Sequence, residues 1–226
     1  MSRRLVIPDR TEAERELRVA RPWWQFTLHF NVSVAQRVPV ARIHESESEG
    51  VMMVWGLVGP AAKGDIGKIG SSLAKSADLG AAEEFRSAWI HGQRGIVPVA
   101  GFFVWQRTPA GKQQPFYVRL VNRTVFGVAV LWERSESDEG DVLESCAIVT
   151  MPSNPLLAEI DNGSDQMPAI LRRDDYAKWL SGNVTEASAL LESYPAVEML
   201  THPVRPHVDD PNIDNPILIR PAPQSK

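Results

Sequence analysis

Polar and apolar residues alternate through Thr27-Leu28-His29-Phe30-Asn31-Val32-Ser33-Val34. A two-residue period turns one face of a strand to a core and the other to water. Further β-rich runs lie at 38–43 and 51–58, and the charged stretch 44–50 between them reads as a solvated hairpin loop. Strands are also predicted at 95–105, 115–121, 124–132 and 142–150. The short apolar run 216–219 reads as a last strand, and 221–226 as a loose tail.

Helical spacing is rarer. Phe85, Ala88 and Trp89 fall on one face of a helix predicted over 81–91. A short charged helix is predicted over 11–20, with Thr11 and Glu14 as its capping box and Pro22 as its stop. Two more helices are expected at 174–180, ending at Gly182, and at 185–193. The glycine-rich stretch 59–70 lacks the Gly-Lys-Ser/Thr ending of a phosphate loop, so it reads as a flexible connector. No βαβ rhythm and no repeat is present. The pattern predicts one α+β domain over 1–220, a mostly antiparallel sheet or barrel with a few short peripheral helices.

Composition narrows the function classes. The chain has 226 residues, 43% of them hydrophobic and 23% charged, an ordinary globular balance. Its formal net charge of -4 argues against a dedicated nucleic-acid coat, which needs a basic surface to neutralise phosphate. Cys146 is the only cysteine and sits in the apolar run Cys146-Ala147-Ile148-Val149, which marks it as a buried, inert thiol. The lack of an intrachain disulfide, of a secretory apolar stretch and of a membrane-length apolar run predicts a cytoplasmic protein without a membrane association. His29, His44, His91, His202 and His207 show no ligand spacing, so neither a metal nor a cofactor is expected. Adjacent Trp23 and Trp24 offer a stacking or interaction patch, with at least one of them expected in the core.

Several strings in order resemble one family. Phe30-Asn31-Val32-Ser33-Val34-Ala35-Gln36 resembles "YNIAPTQ", and Trp55-Gly56-Leu57-Val58 resembles "WGLVP". Arg94-Gly95-Ile96-Val97-Pro98-Val99-Ala100-Gly101-Phe102-Phe103-Val104-Trp105 resembles "RCLVPADGFYEW". Leu131-Trp132-Glu133, Met167-Pro168-Ala169-Ile170-Leu171 and Val208-Asp209-Asp210-Pro211-Asn212-Ile213-Asp214 resemble "LWE", "RMPVIL" and "VNNPRND". These strings belong to the SOS response-associated peptidase (SRAP) family. The resemblance implies recognition of abasic sites in single-stranded DNA. It also implies a cysteine nucleophile at position 2, supported by an asparagine, a glutamate and a histidine.

The chain departs from that pattern where the chemistry lies. Position 2 is Ser2, whose hydroxyl is a far poorer nucleophile than a thiol near neutral pH. The family's acid aligns with Val104, and its "NARAET" segment aligns with Ser71-Ser72-Leu73-Ala74-Lys75-Ser76. The histidine falls in the longer stretch 160–168, which has no His. Arg4, Asn31 and Thr150 remain at matching positions and are the candidate DNA contacts; Glu133 reads as a structural partner. No catalytic residue is therefore assigned. The reading is a catalytically degenerate SRAP protein that binds single-stranded or damaged DNA weakly. The alternatives are an interaction scaffold that keeps only the fold, with a protein partner, and an abasic-site lyase using the Ser2 α-amine. A basic groove beside residue 2 favours the first, and an apolar or acidic one favours the scaffold. Val104 and the loop 161–166 are expected to line the cleft.

Overall fold

The computed structural model describes residues 3–223. The chain opens with β1 (Arg4–Ile7), α1 (Arg10–Leu17), the short β2 (Arg21–Pro22) and β3 (His29–Ser33). The predicted hairpin forms as β4 (Arg37–His44) and β5 (Glu47–Trp55). Its loop is shorter than expected: only Glu45 and Ser46 turn, both with left-handed φ (47° and 69°), so Glu47 already pairs with His44. A two-residue turn with both φ positive matches the twist of the strands it joins. After β6 (Leu73–Lys75) and α2 (Glu83–Ile90) the chain adds β7 (Arg94–Val99), β8 (Gly101–Arg107), β9 (Gln113–Leu120), β10 (Phe126–Glu136) and β11 (Val142–Pro152). Then follow α3 (Pro155–Ile160), β12 (Gln166–Pro168), β13 (Ile170–Leu171), α4 (Tyr176–Ser181), α5 (Val184–Ser188) and β14 (Met199–Pro203).

Five strands close into a ring. β11 pairs with β10, β10 with β7, β7 with β4 and β4 with β5, all antiparallel. β5 then returns to β11 in parallel, Val54 opposite Ser145 and Trp55 opposite Cys146. Closure removes the unpaired edges that an open sheet would present. The ring's interior holds Val38, Val40, Met53, Trp55, Val97, Val128, Val130, Cys146 and Ile148, all buried.

A second sheet, in the order β14-β9-β8-β1-β3, lies against this barrel. Leu5, Ile7, Phe102, Val104, Val118 and Leu120 turn inward to the main core. The opposite face carries Val6, Phe103 and Tyr117, which meet Val204, Val208 and Leu218 of the C-terminal segment in a smaller cluster. Gly101 is required beneath Tyr117, since a Cβ there would lie 2.3 Å from the ring.

Four expectations are revised. The first helix is capped by Asp9, whose carboxylate accepts from the Glu12 N–H at 3.0 Å; Glu14 instead takes Arg10 Nε at 2.6 Å and the Trp24 indole at 3.2 Å. The run 216–219 is a single 3-10 turn, not a strand, because Pro216 suits a first helical position and Asn215 caps it through the Ile217 N–H. The connector 59–70 holds two such turns, Pro60–Ala62 and Ile66–Lys68. The tail expected to loosen at Pro221 is still tied there: Val204 bridges Pro221, and the Ala222 N–H donates to Pro203 O at 2.8 Å.

Candidate functional site

At one end of the second sheet a cleft of about 420 Å³ opens between β1, the end of β8, the start of β9 and the loop after α3. Strand parity decides which side chains enter it. β8 sends Val104 into the core, and Trp105 and Arg107 to the opposite side, where they line the cleft with Arg3 and Arg4. Three guanidiniums thus face one loop carboxylate, Asp161.

Each wall is held in place. The Trp105 indole N–H donates to Asp209 Oδ1 at 2.9 Å, and its ring lies 6.4 Å from that of Phe103. Asn154 caps α3 through the Leu157 N–H, and Pro155 fills the first helical position; the helix ends at Asp161 and delivers the loop to the cleft. Asn162 then locks that loop to β8: its Oδ1 accepts from the Arg107 N–H at 2.8 Å and its Nδ2 donates to Arg107 O at 2.9 Å. Burial pushes the Asp161 carboxyl above the ordinary carboxylate range.

The predicted residues separate here. Arg4 lines the cleft and donates from Nη1 to Asn31 Oδ1 at 3.3 Å. Asn31 is buried behind it, its Nδ2 donating to Asp210 O at 3.0 Å and Ile213 O at 2.9 Å. Thr150 is buried in β11, where it donates to Gln166 Oε1 at 2.9 Å, and is not part of the cleft wall. Val104, expected in the wall, is only 1% exposed and belongs to the core. Of the expected loop, Asp161 to Ser164 do line the cleft. Ser2 lies outside the described residues. Glu133 is buried, with its carboxyl raised by desolvation and hydrogen-bonded to Gln93 and the Ala88 backbone, a structural setting. Trp24 is buried while Trp23 is 69% exposed, and neither lines the cleft. Trp105 and Arg107 were missed by sequence reasoning, as was the part Asn162 plays in fixing the loop.

The family model described as SOS response associated peptidase (SRAP) matches residues 2–211. The chain belongs to the SRAP family. Among its relatives, the abasic site processing protein YoqW of Bacillus subtilis (strain 168) is 29% identical over 203 residues, covering 88% of each chain. The abasic site processing protein HMCES of Rattus norvegicus is 28% identical over 203 residues, which take in 75% of this chain and 56% of that one. A crystal structure of a Bacteroides thetaiotaomicron protein superposes with a TM-score of 0.77 at 25% identity, over 85% of both chains. One from Bordetella bronchiseptica, at 22% identity and a TM-score of 0.79 over 90% of this chain and 100% of that one, shares the fold. No helix of the described residues is long and apolar enough to cross a membrane.

Proposed function

We propose that this SRAP protein is catalytically degenerate and binds single-stranded or damaged DNA weakly, without covalent chemistry. The observation that carries the reading is the cleft itself, where Arg3, Arg4 and Arg107 surround a half-buried Trp105. Guanidiniums meet phosphates whatever the sequence. An indole face stacks on any base. Arg3 adjoins Ser2 in the chain, and a basic surface beginning at Arg3 supports the DNA reading over the scaffold. The names of the relatives, abasic site processing proteins, support damaged DNA as the ligand.

The case against catalysis rests on what the family's positions now hold. A valine at 104 transfers no proton, the loop 161–166 has no histidine, and the Ser2 hydroxyl is a poor nucleophile near neutral pH. The test is electrophoresis of the protein with intact and with abasic single-stranded DNA, in native and in denaturing gels. Both strands are expected to shift in the native gel at low salt, and no adduct to survive heat and denaturant. A surviving adduct would overturn the loss of chemistry. An adduct trapped only by borohydride would identify an imine from the Ser2 α-amine, and no shift at all would favour the scaffold.

A further inference from the structure

Toward the far end of β9, from Tyr117 onward and so roughly 13 to 23 Å from Gln113 along the strand, a second cavity of about 550 Å³ opens. Among the described residues no Asp or Glu lines it, although acids outnumber Lys and Arg 28 to 24 in the chain. Part of its lining is apolar, with Tyr117, Val121 and Ile219 among the lining side chains. The Tyr117 hydroxyl is committed to Ala100 O at 3.0 Å.

Around these side chains the charged groups are two arginines, beside Asn122, Thr124 and His202, which can donate or accept. Arg123 is compensated: it pairs with Glu16 and donates to the Tyr176 hydroxyl at 2.7 Å. Arg119 is different. It is exposed, has no carboxylate within ion-pair distance among the described residues, and makes one hydrogen bond there, to Leu120 O at 3.3 Å. His202 packs its ring edge on Tyr117 at 5.7 Å and shares Nε2 with Ile219 O at 2.9 Å. A carbonyl only accepts, so Nε2 carries the proton and Nδ1 is left without a hydrogen bond among the described residues.

We propose that this cavity is a second site, separate from the cleft, for a phosphate ester carried on a flat organic group. Arg119 takes the phosphate in a forked, charge-assisted contact. The flat group rests on Val121, Ile219 and the Tyr117 ring edge. A free nucleotide and a flanking DNA phosphate offer the same chemistry, and the experiment separates them.

Inorganic phosphate and deoxyadenosine 5′-monophosphate are titrated calorimetrically into the wild-type chain, Arg119→Glu and Arg4→Ala, with the His202 imidazole resonances followed by NMR. The nucleotide is expected to bind the wild type and Arg4→Ala alike, to bind Arg119→Glu about tenfold or more weakly, and to shift His202 along the same isotherm. Arg119 is exposed, so its replacement leaves the core intact, and a thermal melt checks this. If neither small ligand binds, but Arg119→Glu weakens binding of a DNA strand long enough to reach from the cleft and spares a shorter one, the phosphate is the DNA's. If Arg119→Glu alters none of these titrations, the site does not exist. Because Arg4→Ala tests the cleft alone, failure here and failure of the cleft reading are distinguishable.

Discussion

Restoring the family's acid by Val104→Glu is expected to destabilise the chain without restoring chemistry. Val104 is 1% exposed and packs inside the main core, opposite Phe116 of β9. A carboxylate there has no water, and burial raises its pKa by several units. A rise from about 4.3 to about 7 corresponds to roughly 3 to 4 kcal/mol once the unfolded chain is fully ionised. The sign follows from the raised folded-state value. Below about pH 4 both states are protonated and the charge penalty vanishes; it then grows with pH and levels off above the shifted pKa near 7. A penalty of this size is a large part of a typical domain's 5 to 15 kcal/mol, each end approximate. Urea denaturation of wild type and variant near pH 4.5 and near pH 8 measures it. A loss under about 0.5 kcal/mol, equal at both pH values, is what a surface position gives. It would refute the inward placement of Val104 and the strand parity that sends Trp105 to the cleft.

Two further outcomes are expected. Trp105→Ala is expected to weaken single-stranded DNA binding by about 1 to 3 kcal/mol, the usual worth of a stacked base, while Trp105→Phe retains most of the affinity in a fluorescence anisotropy titration; equal affinities would remove the stacking role. Burial pushes the Cys146 thiol up to about 12, so the folded chain is expected not to react with a thiol reagent near pH 8 and to react on unfolding, whereas prompt reaction of the native protein would contradict its place inside the barrel.

The barrel was legible because its strands are long apolar runs, and such runs specify burial whichever residues flank them. The site was less legible, and β8 shows why. Phe102, Phe103, Val104 and Trp105 are all apolar, so no alternation marks which of them face the main core. The answer depends on the distant residues Val204, Val208 and Leu218, which cover the outer face and leave the cleft at its end. Arg4 and Asn31 were found through the family resemblance, and a hydrogen bond joins them. Asn162 was expected in the cleft as part of the loop 161–166, but its grip on the backbone of a strand 55 residues away carried no signal. At the first helix Asp9 and Thr11 are both good caps; the backbone entering from β1 selects Asp9.

The central claim is that cleft arginines hold DNA by charge and without a covalent bond. It is tested most directly by anisotropy titrations of an abasic single strand over a range of salt concentrations, with the wild type and the Arg4→Ala/Arg107→Ala double variant. Three phosphate contacts on single-stranded DNA give a slope of log K against log salt of about -2, and one remaining contact about -0.7. A wild-type slope near -2 that flattens in the double variant is the expected result. Binding that ignores salt, or a slope that the double variant leaves unchanged, would contradict it.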